Sequence, residues 1–97
     1  RKVEHLGNPG LQPPLLMARS EATLTFEARV LGLKPDVLAE LIIGSDGMVH
    51  NVEIYRPAGF GLDENAVAAL MKWRFRPAEK DGRPIAVEGN LRLKFLP

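Results

Sequence analysis

Two runs of alternating polarity, separated by a four-residue turn, constrain this chain more than anything else in it. In Asp36 to Ile43 (DVLAELII), Val37, Ala39, Leu41 and Ile43 fall on one face at a period of two. Gly44-Ser45-Asp46-Gly47 follows, a turn whose residues suit positive φ. His50 to Tyr55 (HNVEIY) then places Val52 and Ile54 inward. The pattern predicts a β-hairpin with one apolar face, and a sheet covered on one face by helix is its natural packing.

The covering helix is legible. Leu62 to Trp73 (LDENAVAALMKW) puts Leu62, Ala66, Ala69, Leu70 and Trp73 on one stripe, with Asp63 and Glu64 in the first turn at the positive end of the dipole. Pro57 to Gly61 breaks the chain before it, and the stripe makes Trp73 a core anchor rather than an exposed recognition aromatic. Asp81-Gly82 marks another turn. Leu91, Leu93 and Phe95 then alternate with Arg92 and Lys94 in a final strand. With two glycines and three prolines, residues 1–14 are predicted to be an extended arm or linker, and residues 15–97 the domain proper. Whether the arm pairs with the hairpin's open edge or floats is left open. Between arm and hairpin, Leu24, Phe26, Ala28 and Val30 alternate like a strand, while Leu24, Ala28 and Leu31 also fit a helix stopped by Gly32. The expected fold is α+β: a small antiparallel sheet, hairpin plus C-terminal strand in the order 2-1-3, packed on one main helix. The last strand then lies at an edge.

Composition removes most kinds of chemistry. The chain has 97 residues, one domain's worth, and no cysteine, so disulfides, thiolate nucleophiles and cysteine-ligated zinc are excluded. His5 and His50 lack metal-ligand spacing, so no metal or cofactor is expected. His50 stands near Asp46 and Glu53, but the plain reading is an exposed strand histidine, and no catalytic residue is expected. Gly59-Phe60-Gly61 precedes an acidic helix start, which does not suit phosphate. Net charge is +1, divided between residues 1–71 (6 basic, 9 acidic) and residues 72–97 (7 basic, 3 acidic). The basic end lacks strand aromatics free to stack on bases, so nucleic acid is not an expected partner. The first methionine is Met17, and the chain is read as a piece of a longer protein.

An edge strand is a binding device in its own right. Its unpaired backbone groups accept a partner strand, while outward Arg92 and Lys94 discourage promiscuous pairing.

From Gly32 to Leu96 the chain resembles the TonB C-terminal domain, a TonB/TolA-like fold. The resemblance rests on Gly44-Ser45-Asp46-Gly47-Met48-Val49 at the hairpin turn and on Ile54 through Ala66 (IYRPAGFGLDENA) at the passage into the helix. It rests above all on Lys72 to Ala78 (KWRFRPA) followed by Asp81-Gly82-Arg83-Pro84-Ile85 (DGRPI). Glu27-Ala28-Arg29 also fits a helix that the family has before its first strand, which implies helix over Thr23–Leu31. Leu24-Thr25 stands where the family has Tyr-Pro, and Pro35-Asp36 where a glycine and a small residue are common.

The resemblance implies a periplasmic module of an energy transducer, anchored in the inner membrane by a segment absent here and coupled to an ExbB/ExbD-type motor. Its partner is the TonB box peptide of a TonB-dependent outer-membrane transporter, added as a strand along Glu88, Gly89, Asn90, Leu91, Arg92, Leu93, Lys94 and Phe95. The alternative is a TonB-like module on another envelope scaffold or sensor, binding a different partner or pairing its own edge in a homodimer.

Overall fold

A computed structural model describes residues 3–7 and 9–97. Among the described residues, eight strands and two helices follow in the order β1 (Val3–His5), β2 (Leu11–Gln12), β3 (Leu15–Ala18), α1 (Phe26–Val30), β4 (Asp36–Ile43), β5 (Val49–Ile54), α2 (Leu62–Leu70), β6 (Arg74–Arg76), β7 (Ala78–Lys80) and β8 (Arg83–Lys94).

The hairpin forms where alternation places it. β4 and β5 are antiparallel, and Val37, Ala39, Leu41 and Ile43 are all buried. Gly47 sits at φ 79°, and its Cα faces the Phe75 carbonyl so closely that a Cβ there would lie 2.1 Å from the oxygen. Phe75 N–H donates to the Gly47 carbonyl in return. Only glycine fits this junction of hairpin tip and β6. Midway along the hairpin the register shifts between Glu40 and Ile42, where Asn51 adopts φ 52°, the mark of a bulge.

β4 pairs on its other flank with β8, from Asp36↔Lys94 to Ile43↔Val87. The expected order 2-1-3 is therefore present as β5-β4-β8. α2 lays Ala66, Ala69 and Leu70 on this sheet, and Leu62 at its start is buried as well. It ends at Leu70, not Trp73: Lys72 and Trp73 N–H groups bond three residues back, tightening the last turn. Trp73 is 7% exposed, and its Nε1 donates to the Ser20 carbonyl at 2.9 Å. Arg19 stacks over the ring, 4.9 Å from its centroid. The core-anchor reading of Trp73 is what the structure shows.

Residues 26–30 are helical. Thr25 Oγ1 accepts from Ala28 N–H at the start, and Gly32 at φ 69° closes the end with Leu33 N–H on the Ala28 carbonyl. The strand-like alternation misleads here because its residues share no buried face: Ala28 is buried, while Phe26 is 76% and Val30 66% exposed.

The arm is extended and docked. β1 runs parallel to β8 (Val3↔Ala86, Glu4↔Val87, His5↔Glu88), and β2 pairs antiparallel with β7. Neither joins the hairpin's open edge. β7 and β8 form a second hairpin whose turn, Asp81-Gly82, has φ 55° and 77°, the paired left-handed geometry of a two-residue loop. β8 begins at Arg83, earlier than alternation indicates, and takes β7 and then β4 as successive antiparallel partners. β3 and β6 make a separate two-stranded sheet.

Candidate functional site

The flank of β8 not used by β4 follows from backbone alternation. Tyr55 N–H bonds the Leu38 carbonyl, so Leu38 turns its backbone groups toward β5. Its odd-numbered neighbours, Val37 and Ala39, must then turn theirs toward β8. Opposite them lie Leu93 and Leu91, and the ladder continues through Gly89 to Val87. These odd residues of β8 spend their backbone groups on β4. The even ones point the other way. Two contacts agree with this parity. β1 lies along Ala86–Glu88, and Leu96 exchanges bonds with the segment ahead of α1: its N–H donates to Ala22 at 2.8 Å, and its carbonyl accepts from Leu24 at 3.0 Å.

Between those two segments the flank is open. Among the described residues no strand pairs with the outward side of Asn90, Arg92 or Lys94. The last strand is thus not an edge along its whole length, which corrects the sequence expectation. Glu88 is flanked by β4 on one side and β1 on the other. Gly89 packs under the arm, with Leu6 Cδ1 2.6 Å from where a Cβ would sit. Gly89, Leu91 and Leu93 bond inward, and the Leu91, Leu93 and Phe95 side chains belong to the core or pack against it. Of the eight residues named from sequence, Asn90, Arg92 and Lys94 turn their backbone groups to the flank on which no described strand pairs with them. What sequence reasoning missed is the occupant of the first half, because a three-residue strand leaves no periodic signal.

The side chains around this opening are charged in sequence. At its start, Glu40 stands opposite both Glu53 and Asn90. The Glu40 carboxylate beside the Tyr55 hydroxyl, with Glu88 and Glu53 also near, raises the Tyr55 pKa above the ordinary tyrosine value. At its far end are exposed Arg92 and Lys94, with Arg92 3.9 Å from Asp36. Beyond Lys94 lies a depression of about 520 Å³ lined by Leu24, Leu33 and Phe95 together with Arg29, Lys34, Asp36 and Lys94.

The other candidates resolve into structural roles. His50 Nε2 lies 3.3–3.4 Å from the Asp46 carboxylate on the exposed turn, while Asp46 also accepts from Met48 N–H at 2.9 Å. That backbone bond is the main cause of a lowered Asp46 pKa. Glu53 takes no part in this pair and instead faces Glu40 across the hairpin. Asp63 accepts from Ala58 and Gly59 N–H at 2.8 and 2.9 Å, so the donors of the Pro57–Gly61 passage hold a carboxylate of the chain itself. Among the described residues no three His, Asp or Glu side chains converge to hold a metal ion.

Residues 26–97 match the family "Gram-negative bacterial TonB protein C-terminal". The chain belongs to the TonB C-terminal family. It is 26% identical over 85 residues to protein TonB of Vibrio cholerae, covering 87% of this chain and about a third (35%) of that protein's length. The solution NMR structure of the Pseudomonas aeruginosa TonB C-terminal domain superposes with a TM-score of 0.70 at 18% identity, over 100% of this chain and 96% of that one. The α+β fold is thus that of a TonB C-terminal domain, the family of energy transducers the sequence resembles. The family match starts at Phe26, so β1, β2 and β3 all lie upstream of it.

Proposed function

We propose that this domain is the periplasmic grip of a TonB-type energy transducer, taking the TonB box of an outer-membrane transporter as an added strand on β8. It acts by binding, not by catalysis. The observation that carries the reading is the run of outward-turned backbone groups at Asn90, Arg92 and Lys94, open between two segments already seated on the same flank. β1 supports it further, being a parallel strand added to that flank from the molecule's own arm. Backbone bonds would give affinity to many extended sequences, with side chains setting preference.

In the full protein, the arm would continue back to an inner-membrane anchor and an ExbB/ExbD-type motor, so that force from the proton gradient reaches the transporter through the paired strand. Titration of labelled domain with transporter plug peptides tests the grip. Amides of Asn90, Arg92 and Lys94 are expected to shift most. A peptide that binds without moving them would overturn strand addition here.

A further inference from the structure

α1 buries one residue and turns its apolar side chains to solvent. Ala28 is fully buried, while Phe26 is 76% exposed, Val30 66% and Leu31, just past the helix, 57%. At about 100° per residue, Phe26 and Val30 stand about 40° apart on the side facing away from Ala28. They form an apolar crest on the outside of the molecule, and adjacent exposed apolar side chains mark a contact surface. The crest offers an extended strand nothing to pair with, because its backbone groups are spent within the turn and its caps. Its two flanks differ in charge. Glu27 lies on one. Arg29 lies on the other and, with Lys34 and Lys94, lines the depression beyond β8, all three being exposed. Asp36 shares this depression and has Arg92 3.9 Å away as a counter-charge. Leu24, Leu33 and Phe95 give the depression an apolar lining beneath the cations. An apolar crest with cations set beside it matches a layered partner, anionic at its surface and apolar below. Among the described residues no helix is long and apolar enough to cross a membrane, so contact through this crest is peripheral.

We propose that the α1 end of the domain rests on a bilayer surface rich in anionic phospholipid. Phe26 and Val30 enter between the headgroups. Arg29, Lys34 and Lys94 take lipid phosphates, their methylene stems lying along apolar surface. Glu27 opposes the contact, since the same phosphates repel it. Two apolar tips and three cations make the contact weak and reversible, not an anchor. Lys94 alone belongs both to this surface and to the open flank of β8, and the inference does not rest on strand addition there.

The test is co-sedimentation of the whole chain with lipid vesicles. Vesicles of phosphatidylcholine mixed with phosphatidylglycerol should retain it, phosphatidylcholine alone should not, and salt should release it. Lys34→Glu should lower the partition about tenfold and Phe26→Ser about fivefold, while Glu27→Lys should raise it about fivefold. All three positions are exposed, and an unchanged unfolding midpoint checks that each variant folds. Should one fail that check, Lys34→Gln or Val30→Ser replaces it. Phe26→Trp should add emission that lipid brominated on its acyl chains quenches, over the signal of buried Trp73. Equal retention by both kinds of vesicle would overturn the proposal, as would retention that Phe26→Ser and Glu27→Lys leave unchanged. Inorganic phosphate that shifts the Lys34 and Lys94 amides, in a chain the mixed vesicles do not retain, would make the depression a site for soluble anions and overturn the membrane contact.

Discussion

The two halves of β8 share one strand and one kind of neighbour on one flank, yet differ on the other. Along Ala86–Glu88 the outward groups are met by β1. Along Asn90–Lys94 they are met by nothing among the described residues. The first half shows that this flank accepts a parallel strand. The second shows that it is left unfilled over three outward-turned residues. Its protection against indiscriminate pairing is charge, since Asn90, Arg92 and Lys94 are all exposed and two of them are cationic. Among the described residues, openness in the second half therefore follows from β1 ending at His5, rather than from a different strand.

The largest expected effect tests the parity on which this contrast depends. Leu91→Pro removes a donor aimed at β4 in the middle of the sheet, and should cost about 3 kcal/mol or more in denaturant unfolding. Arg92→Pro, one residue on, removes a donor aimed outward. It should cost under about 1 kcal/mol yet weaken plug-peptide binding at least about tenfold, since an added strand loses a backbone bond and a steering charge. Equal destabilisation by the two prolines would break the parity.

A smaller effect separates the halves from each other. Glu4 lies opposite Val87, so its backbone serves the outward groups of Ala86 and Glu88. Glu4→Pro removes that backbone donor together with a buried carboxylate 3.5 Å from Lys80 Nζ, and should cost about 2 kcal/mol, speed amide exchange at Glu88, and lengthen the peptide's footprint from Asn90–Lys94 back toward Ala86. A footprint unchanged in length would mean the arm does not limit the opening.

The smallest effect is a control on neither half. Asp46 has a lowered pKa, chiefly from the Met48 N–H bond, so its contribution to the hairpin turn is full above the unfolded value of about 3.9 and is lost as pH falls through the lower folded value. Acidification through that window should loosen amides of Met48 and Val49, and Asp46→Asn should flatten the response.

The hairpin, the main helix and the order β5-β4-β8 were legible in the sequence because each rests on a period that burial enforces. Val37 to Ile43 at period two and Leu62 to Leu70 on one stripe are fully explained by their buried faces. α1 was ambiguous from pattern, since five residues with one buried alanine carry no decisive period, and the resemblance to a family helix was what turned the reading from strand to helix. β1, β2 and β6 are two or three residues long and form through partners far away in sequence, whereas three-residue β7 was marked only by the Asp81-Gly82 turn that joins it to β8. For the same reason the site was half legible. The alternation of Leu91 to Phe95 located the strand, but which of its residues stay open depends on a short arm and on the Ala22–Leu24 segment, neither of which advertises its pairing.

Amide hydrogen exchange across β8, with and without a transporter plug peptide, tests the central claim most directly. In the free domain Leu91 and Leu93 should exchange slowly, and Asn90, Arg92 and Lys94 fast. With saturating peptide, those three should become protected while Leu91 and Leu93 stay as they were. Saturating peptide that leaves Asn90, Arg92 and Lys94 exchanging as in the free domain would contradict the account.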